Sequence, residues 1–164
     1  MADLTNLESK IGEVTGLAMA AQVATGRVIT LAKEEDAELV AALEKMREEA
    51  AETERRCTDL AGTFEGKKTA ILDEARTTKG KGAEMLKMYL DQDADALDGF
   101  EFLTMAEAGE VGHWEVLQQM SGSAGRSDVQ ELVSWALPIQ QRHLEGARSG
   151  SKTLAANEDP NETA

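Results

Sequence analysis

Apolar residues recur along this chain in alternating steps of three and four, the period of an amphipathic helix, over four long stretches. The first stripe is Leu4, Leu7, Ile11, Val14, Ala18, Ala21, Thr25 and Val28, which predicts a helix from about Asp3, a good N-cap, to near Leu31. Its middle is built of small residues, Gly12, Gly16 and Gly26 among them, so a neighbouring element can approach closely there. The acidic turn KEEDAE leads into a second helix with Leu39, Leu43, Met46, Ala50, Thr53, Cys57 and Leu60 at the same spacing. A connection this short makes the two an antiparallel hairpin.

GTFEGKK then breaks the pattern. Residues 62–95 read as a connector holding one or two short helices, around 70–76 and 83–90, separated by TTKGKG. That is long for a turn between bundle helices and long enough to carry the chain back along the bundle. A third long helix begins in DADALDGF and ends at SGSAGRSD, where Ser127 or Asp128 can cap a fourth. The fourth runs to about Gly146 with Val129, Leu132, Val133, Ala136, Gln140 and His143 on its stripe. The expectation is an all-α chain: a ferritin-like antiparallel four-helix bundle over residues 1–148, two hairpins joined by one crossover, and a flexible acidic tail over 149–164.

Composition agrees with helices and narrows the partners. The 164 residues suffice for one domain, and with only two prolines, Pro138 and Pro160, little interrupts helical periodicity over most of the length. Seventeen basic against 31 acidic side chains leave a net charge of −14, a surface that repels nucleic acid and anionic lipid. A single cysteine, Cys57, allows no intrachain disulfide, and its place on a stripe predicts a small buried residue. With no signal peptide and no uninterrupted apolar run long enough to span a bilayer, the expected setting is cytoplasmic and soluble.

The stripe of the third helix carries the chemistry. Phe100, Leu103, Trp114 and Leu117 are apolar, yet the positions between them are Glu107 and Glu110, with His113 following as Glu-Val-Gly-His. The fourth helix adds Gln140 and His143 as Gln-Gln-Arg-His. An isolated buried carboxylate would be neutralised by a pKa shift or would need a cationic partner. Bundle interiors supply such a partner as a metal held by glutamates and Glu-x-x-His pairs on facing helices. Arg55, Arg56 or Arg142 could supply it instead, as an ion-pair network. On the second helix Glu49 and Glu52 lie near the seam, but Arg55 stands where a histidine ligand would, and arginine cannot ligate a cation. The first helix offers only Glu13 and Gln22, so one half of a dinuclear site is written and the other is not. DQDADALDGFEF fails as a calcium loop at Ala96 and Phe102, and GTFEGKKT lacks the glycine spacing of a phosphate loop. A groove near Trp114, Met120 and Trp135 is a further place for a small apolar molecule.

The segments EKMREEAAETERRCTDLAGTF, EGKKTAILDEA, AEAGEVGHWEVL and ALPIQQRHLEGA resemble successive blocks of the small bacterial ferritin-like proteins, often stress-induced, across most of residues 3–147. The resemblance implies a bundle, commonly a homodimer, with acidic residues around an internal site for one or two iron ions or another divalent metal. Carried over residue by residue, it points to Glu52, Glu74, Glu107 and Glu110. The chain departs from the pattern at Gln140 and Gln141, where acidic residues are expected, and at Arg55 and Arg56. Two readings follow. One is a metal-binding protein using those carboxylates with His113, Gln140 and His143; the other is a metal-free structural or protein-interaction bundle. Neither assigns a catalytic residue.

Overall fold

The computed structural model describes residues 3–163. They form helices only, five of them: α1 (Asn6–Ala32), α2 (Ala37–Ala61), α3 (Lys68–Tyr89), α4 (Ala96–Ala124) and α5 (Ser127–Ala155). The start of α1 is set by Thr5 rather than Asp3, because Thr5 and Glu8 close a reciprocal capping box that Asp3 cannot make. Asp36 caps α2, and Asp95 with Asp98 repeats the box on α4. Gly125 ends α4 at φ 63°, a left-handed turn that a side chain would resist, and α5 begins two residues later.

The predicted stripes are the buried faces. Ile11, Val14, Ala18, Ala21, Thr25 and Val28 on α1, and Leu43, Met46, Ala50, Thr53, Cys57 and Leu60 on α2, are all removed from solvent. α1 lies at the centre, in contact with α2, α3 and α4, while α5 packs on α4 and α2. Contact on three sides accounts for an α1 that is long and apolar enough, by length and composition, to cross a membrane. Pairings along the seams fix direction: Lys10 and Glu13 meet His113 while Val28 meets Gly99, so α1 and α4 are antiparallel.

Where one or two short helices and a glycine break are expected in the connector, α3 is a single helix through Gly80 and Gly82. The glycines of α1 and α3 serve packing instead of interruption. A Cβ at Gly12 would sit 2.8 Å from the Ile71 carbonyl oxygen, one at Gly16 would be 2.6 Å from Thr78 Cβ, and one at Gly82 would be 2.7 Å from Ala20 Cβ. α3 therefore rides on the small-residue face of α1, parallel to it, and returns the chain to the end where α4 begins. The tail also differs from expectation: α5 continues to Ala155, held by Gly150 seated against the Phe100 ring and by buried Leu154.

The core is divided. One apolar cluster gathers Ile11, Val14, Cys57, Leu60, Trp114, Leu117 and Val133. The other gathers Val28, Leu43, Met46, Phe100, Leu103 and Ala147. On α4 the residues between the two clusters are Glu107 and Glu110, and on α5 they are Gln140 and His143. A polar layer crosses the bundle at mid-height, faced by small residues, Ala18 and Ala21 on α1 and Ala50 on α2.

Candidate functional site

Helical geometry decides which predicted site residues reach this layer. Glu107 and Glu110 lie one turn apart on the inner face of α4 and keep only 1% and 3% of their exposure. Gln140 and His143 do the same on α5, at 1% and 3%. Each three-residue step turns a helix about 60° short of a full revolution, so His113, two steps beyond Glu107, is carried about 120° around α4. It leaves the layer, remains 40% exposed at its side chain, and sets Nδ1 3.1 Å from Glu13 Oε2 of α1. The same step separates Glu49 from Glu52. Glu49 reaches α5, whereas Glu52 faces outward, where hydrogen bonds from Arg55 and then Arg56 hold its pKa down to about 2. Glu74 lies on α3 with its Cβ against Gly12 of α1, away from the layer.

The layer is joined by hydrogen bonds from one helix to the next. Arg142 donates to Glu49 Oε1 at 2.6 Å, and His143 Nε2 lies 2.6 Å from Glu49 Oε2. On its other side His143 Nδ1 faces Glu107 Oε2 at 3.7 Å. The Gln140 amide, oriented with its nitrogen towards the two carboxyl groups, donates to Glu107 Oε2 at 3.0 Å and to Glu110 Oε2 at 3.2 Å. The opposite orientation would set an amide oxygen against two carboxyl oxygens.

Charges in this layer are tied to one another. Burial, and next to it the neighbouring Glu107, pushes the Glu110 pKa well above 4.5, so Glu110 keeps its proton where an exposed glutamate would lose it. Burial works against a charged His143, but Glu107 and then Glu49 outweigh it and lift its pKa above 6.5. Burial likewise opposes ionised Glu49, and is outweighed by His143 and Arg142, so that its pKa falls below 4.5. These shifts describe a protonated His143 facing ionised Glu49 on one side, and a neutral Glu110 linked to Glu107 through the Gln140 amide. One turn beyond Glu110, Trp114 Nε1 is buried without a hydrogen-bond partner among the described residues.

The fit to a metal ion fails as the side chains stand. Both ring nitrogens of His143 face carboxyl groups, on opposite sides of the ring, and the Gln140 amide fills the space between Glu107 and Glu110. Among the described residues no three His, Cys, Asp or Glu side chains are grouped so that they could hold a cation. Of the predicted ligands, the fold brings together Glu107, Glu110, Gln140 and His143, keeps Glu52 and Glu74 apart from them, and turns His113 towards Glu13 of α1. The member that the ligand set omits is Glu49. Its signal in the sequence is its place immediately before the seam residue Ala50, at the edge of the stripe. The groove expected near Trp114 and Trp135 is not open at Trp114, which is buried in the core. Compared with known proteins, the chain matches no family model, no curated protein and no solved structure.

Proposed function

We propose that the chain is a ferritin-like bundle whose interior layer works without a metal, as a hydrogen-bonded network that fixes helix register in a structural or protein-interaction module. The observation carrying this reading is His143, whose two nitrogens engage Glu49 and Glu107 from different helices. A network of this kind satisfies the buried polar groups from within and rejects neighbouring registers, since a slipped helix would bury an unpaired acid. A cytoplasmic setting, by the single cysteine, and a second copy of the chain as partner, by the resemblance, belong to the same proposal, and a net charge of −14 argues against nucleic acid. No catalytic step is assigned.

A second reading, one or two iron ions or another divalent metal with a role in stress, is favoured by two carboxyl groups and an imidazole sharing one buried layer. It requires His143 to release a carboxylate and Gln140 to turn away. The deciding measurement is the metal content of protein purified without chelator, together with its melting temperature with and without EDTA and added Fe(II). The metal-free reading expects far less than one ion per chain and no change in melting temperature. Stoichiometric metal that is lost in Glu110→Ala overturns it in favour of the second reading.

A further inference from the structure

The polar layer has a second face. α3 leans on α1 and barely meets α4, so the line between α3 and α4 is open as a cleft of about 240 Å³. Ala20, Ala21 and Ala24 of α1 form its floor, Met85 of α3 one wall, and Phe102 and Met105 of α4 the other. The floor is low because those α1 residues are alanines; leucine at the same positions would fill it. Met85 and Met105 are 42% and 38% exposed, so the mouth is lined by flexible apolar side chains that can adapt to a guest.

The inner end of the cleft is not apolar. Glu107 and Glu110 line it, and His113 stands at its rim. Both glutamates are more than nine-tenths buried, and their protein hydrogen bonds run through Oε2 to Gln140. No hydrogen bond among the described residues reaches Oε1 of either one. The end of the cleft thus presents two carboxyl oxygens without a protein partner, beneath a hydrophobic passage, one of them on the acid that burial keeps protonated. What it lacks is a compact group with several N–H bonds and a positive charge.

We propose that this cleft binds a small amphiphile, a short hydrocarbon body carrying a primary ammonium head that docks on the Glu107 and Glu110 carboxyl groups. The body would lie on the alanine floor between Met85 and Phe102. An ammonium brings three donors and no acceptor, and its charge lets Glu110 give up its proton to solvent as the head docks, whereas a carboxylate head would meet two acids and a hydroxyl would leave most of the oxygens unserved. The volume lies just under the roughly 300–1,000 Å³ typical of pockets for drug-sized ligands, so the guest is smaller than those. The proposal goes beyond the metal-free reading and does not depend on it.

The test is calorimetric titration of the full chain, in EDTA so that no cation competes, with n-hexylamine, n-hexanol and hexanoate. The amine is expected to bind at least about tenfold more tightly than the alcohol, a charged hydrogen bond being the difference, and hexanoate is expected not to bind. Glu110→Gln should weaken the amine at least about tenfold and leave the alcohol unchanged. Gly109→Leu is the second variant. A Cβ there meets nothing within 4 Å and Gly109 lines the cleft, so a side chain can start there without a clash; leucine is chosen to occupy the mouth, and it improves helix propensity. It should abolish amine binding while the melting temperature holds or rises. Equal affinity for amine and alcohol, binding untouched by Gly109→Leu, or no binding at all would overturn the proposal. So would a dimer that Gly109→Leu dissociates with no amine taken up, which would make a second copy the occupant.

Discussion

His143 sits where three helices meet, and its worth to the fold lies in what its removal leaves behind. Glu49 of α2 and Glu107 of α4 both face it, and the Glu107 side chain has almost no contact with water. Taking away one member of a buried charged set leaves its partners uncompensated, a loss of about 3–5 kcal/mol. His143→Ala is therefore expected to lower unfolding free energy by that order in urea titration. Arg142→Ala, which removes a solvent-exposed contact to the same Glu49, should cost about 1 kcal/mol or less. Similar losses in the two variants would mean that the layer contributes no more than a surface ion pair. Cys57 shows the opposite use of burial: its thiol is pushed up to about 12 by desolvation and stays protonated and unreactive, as its stripe position implies.

At the scale of the element, α1 and α3 are held together by the absence of side chains. A methyl group at Gly16 would collide with the Ala75 carbonyl oxygen, which is backbone and cannot swing aside. Gly16→Val should cost roughly 1–3 kcal/mol or more through overpacking, and α3 should become the first site of cleavage in limited proteolysis. A variant as stable and as protease-resistant as the parent would mean that α3 does not depend on this approach. How much of this was legible divides along the same line. The stripes of α1, α2, α4 and α5 could be read because each helix buries one face, and a period of three and four records it directly. Glu107, Glu110, Gln140 and His143 fell within those stripes for the same reason. His113 and Glu52 did not, because spacing by three places a residue near a seam without saying on which side of it the drift ends. TTKGKG reads as a break since glycine weakens an isolated helix; that Gly82 answers to Ala20 on another helix is a tertiary fact with no local signature.

For the whole molecule, the coupled protons set a pH dependence whose sign can be worked out. Glu110 and His143 both have folded pKa values above their ordinary 4.5 and 6.5, so the fold binds protons that the unfolded chain has released. Their contribution is complete below those ordinary values and is lost as pH rises through the folded ones. Glu49 has the opposite shift, and its contribution is present above 4.5 and lost as pH falls through its lowered pKa. Stability should thus be greatest between 4.5 and 6.5, towards the lower end, and decline on the alkaline side. In Glu110→Gln the part of that decline beginning near 4.5 should vanish while the part beginning near 6.5 remains. Melting temperatures across a pH series of both proteins would check this, and parallel curves would contradict it.

The division of the apolar core by a polar layer also bears on how the molecule comes apart. Each end has its own hydrophobic cluster, and the link between them is made of directional bonds instead of interlocked hydrocarbon. Opening one end need not drag the other with it, so the molecule can breathe in halves. Native-state hydrogen exchange should resolve two groups of backbone amides with distinct opening free energies, meeting near Glu107 on α4 and His143 on α5. A waist of this kind would let the bundle loosen around one end, to admit or release whatever it meets there, without risking the whole.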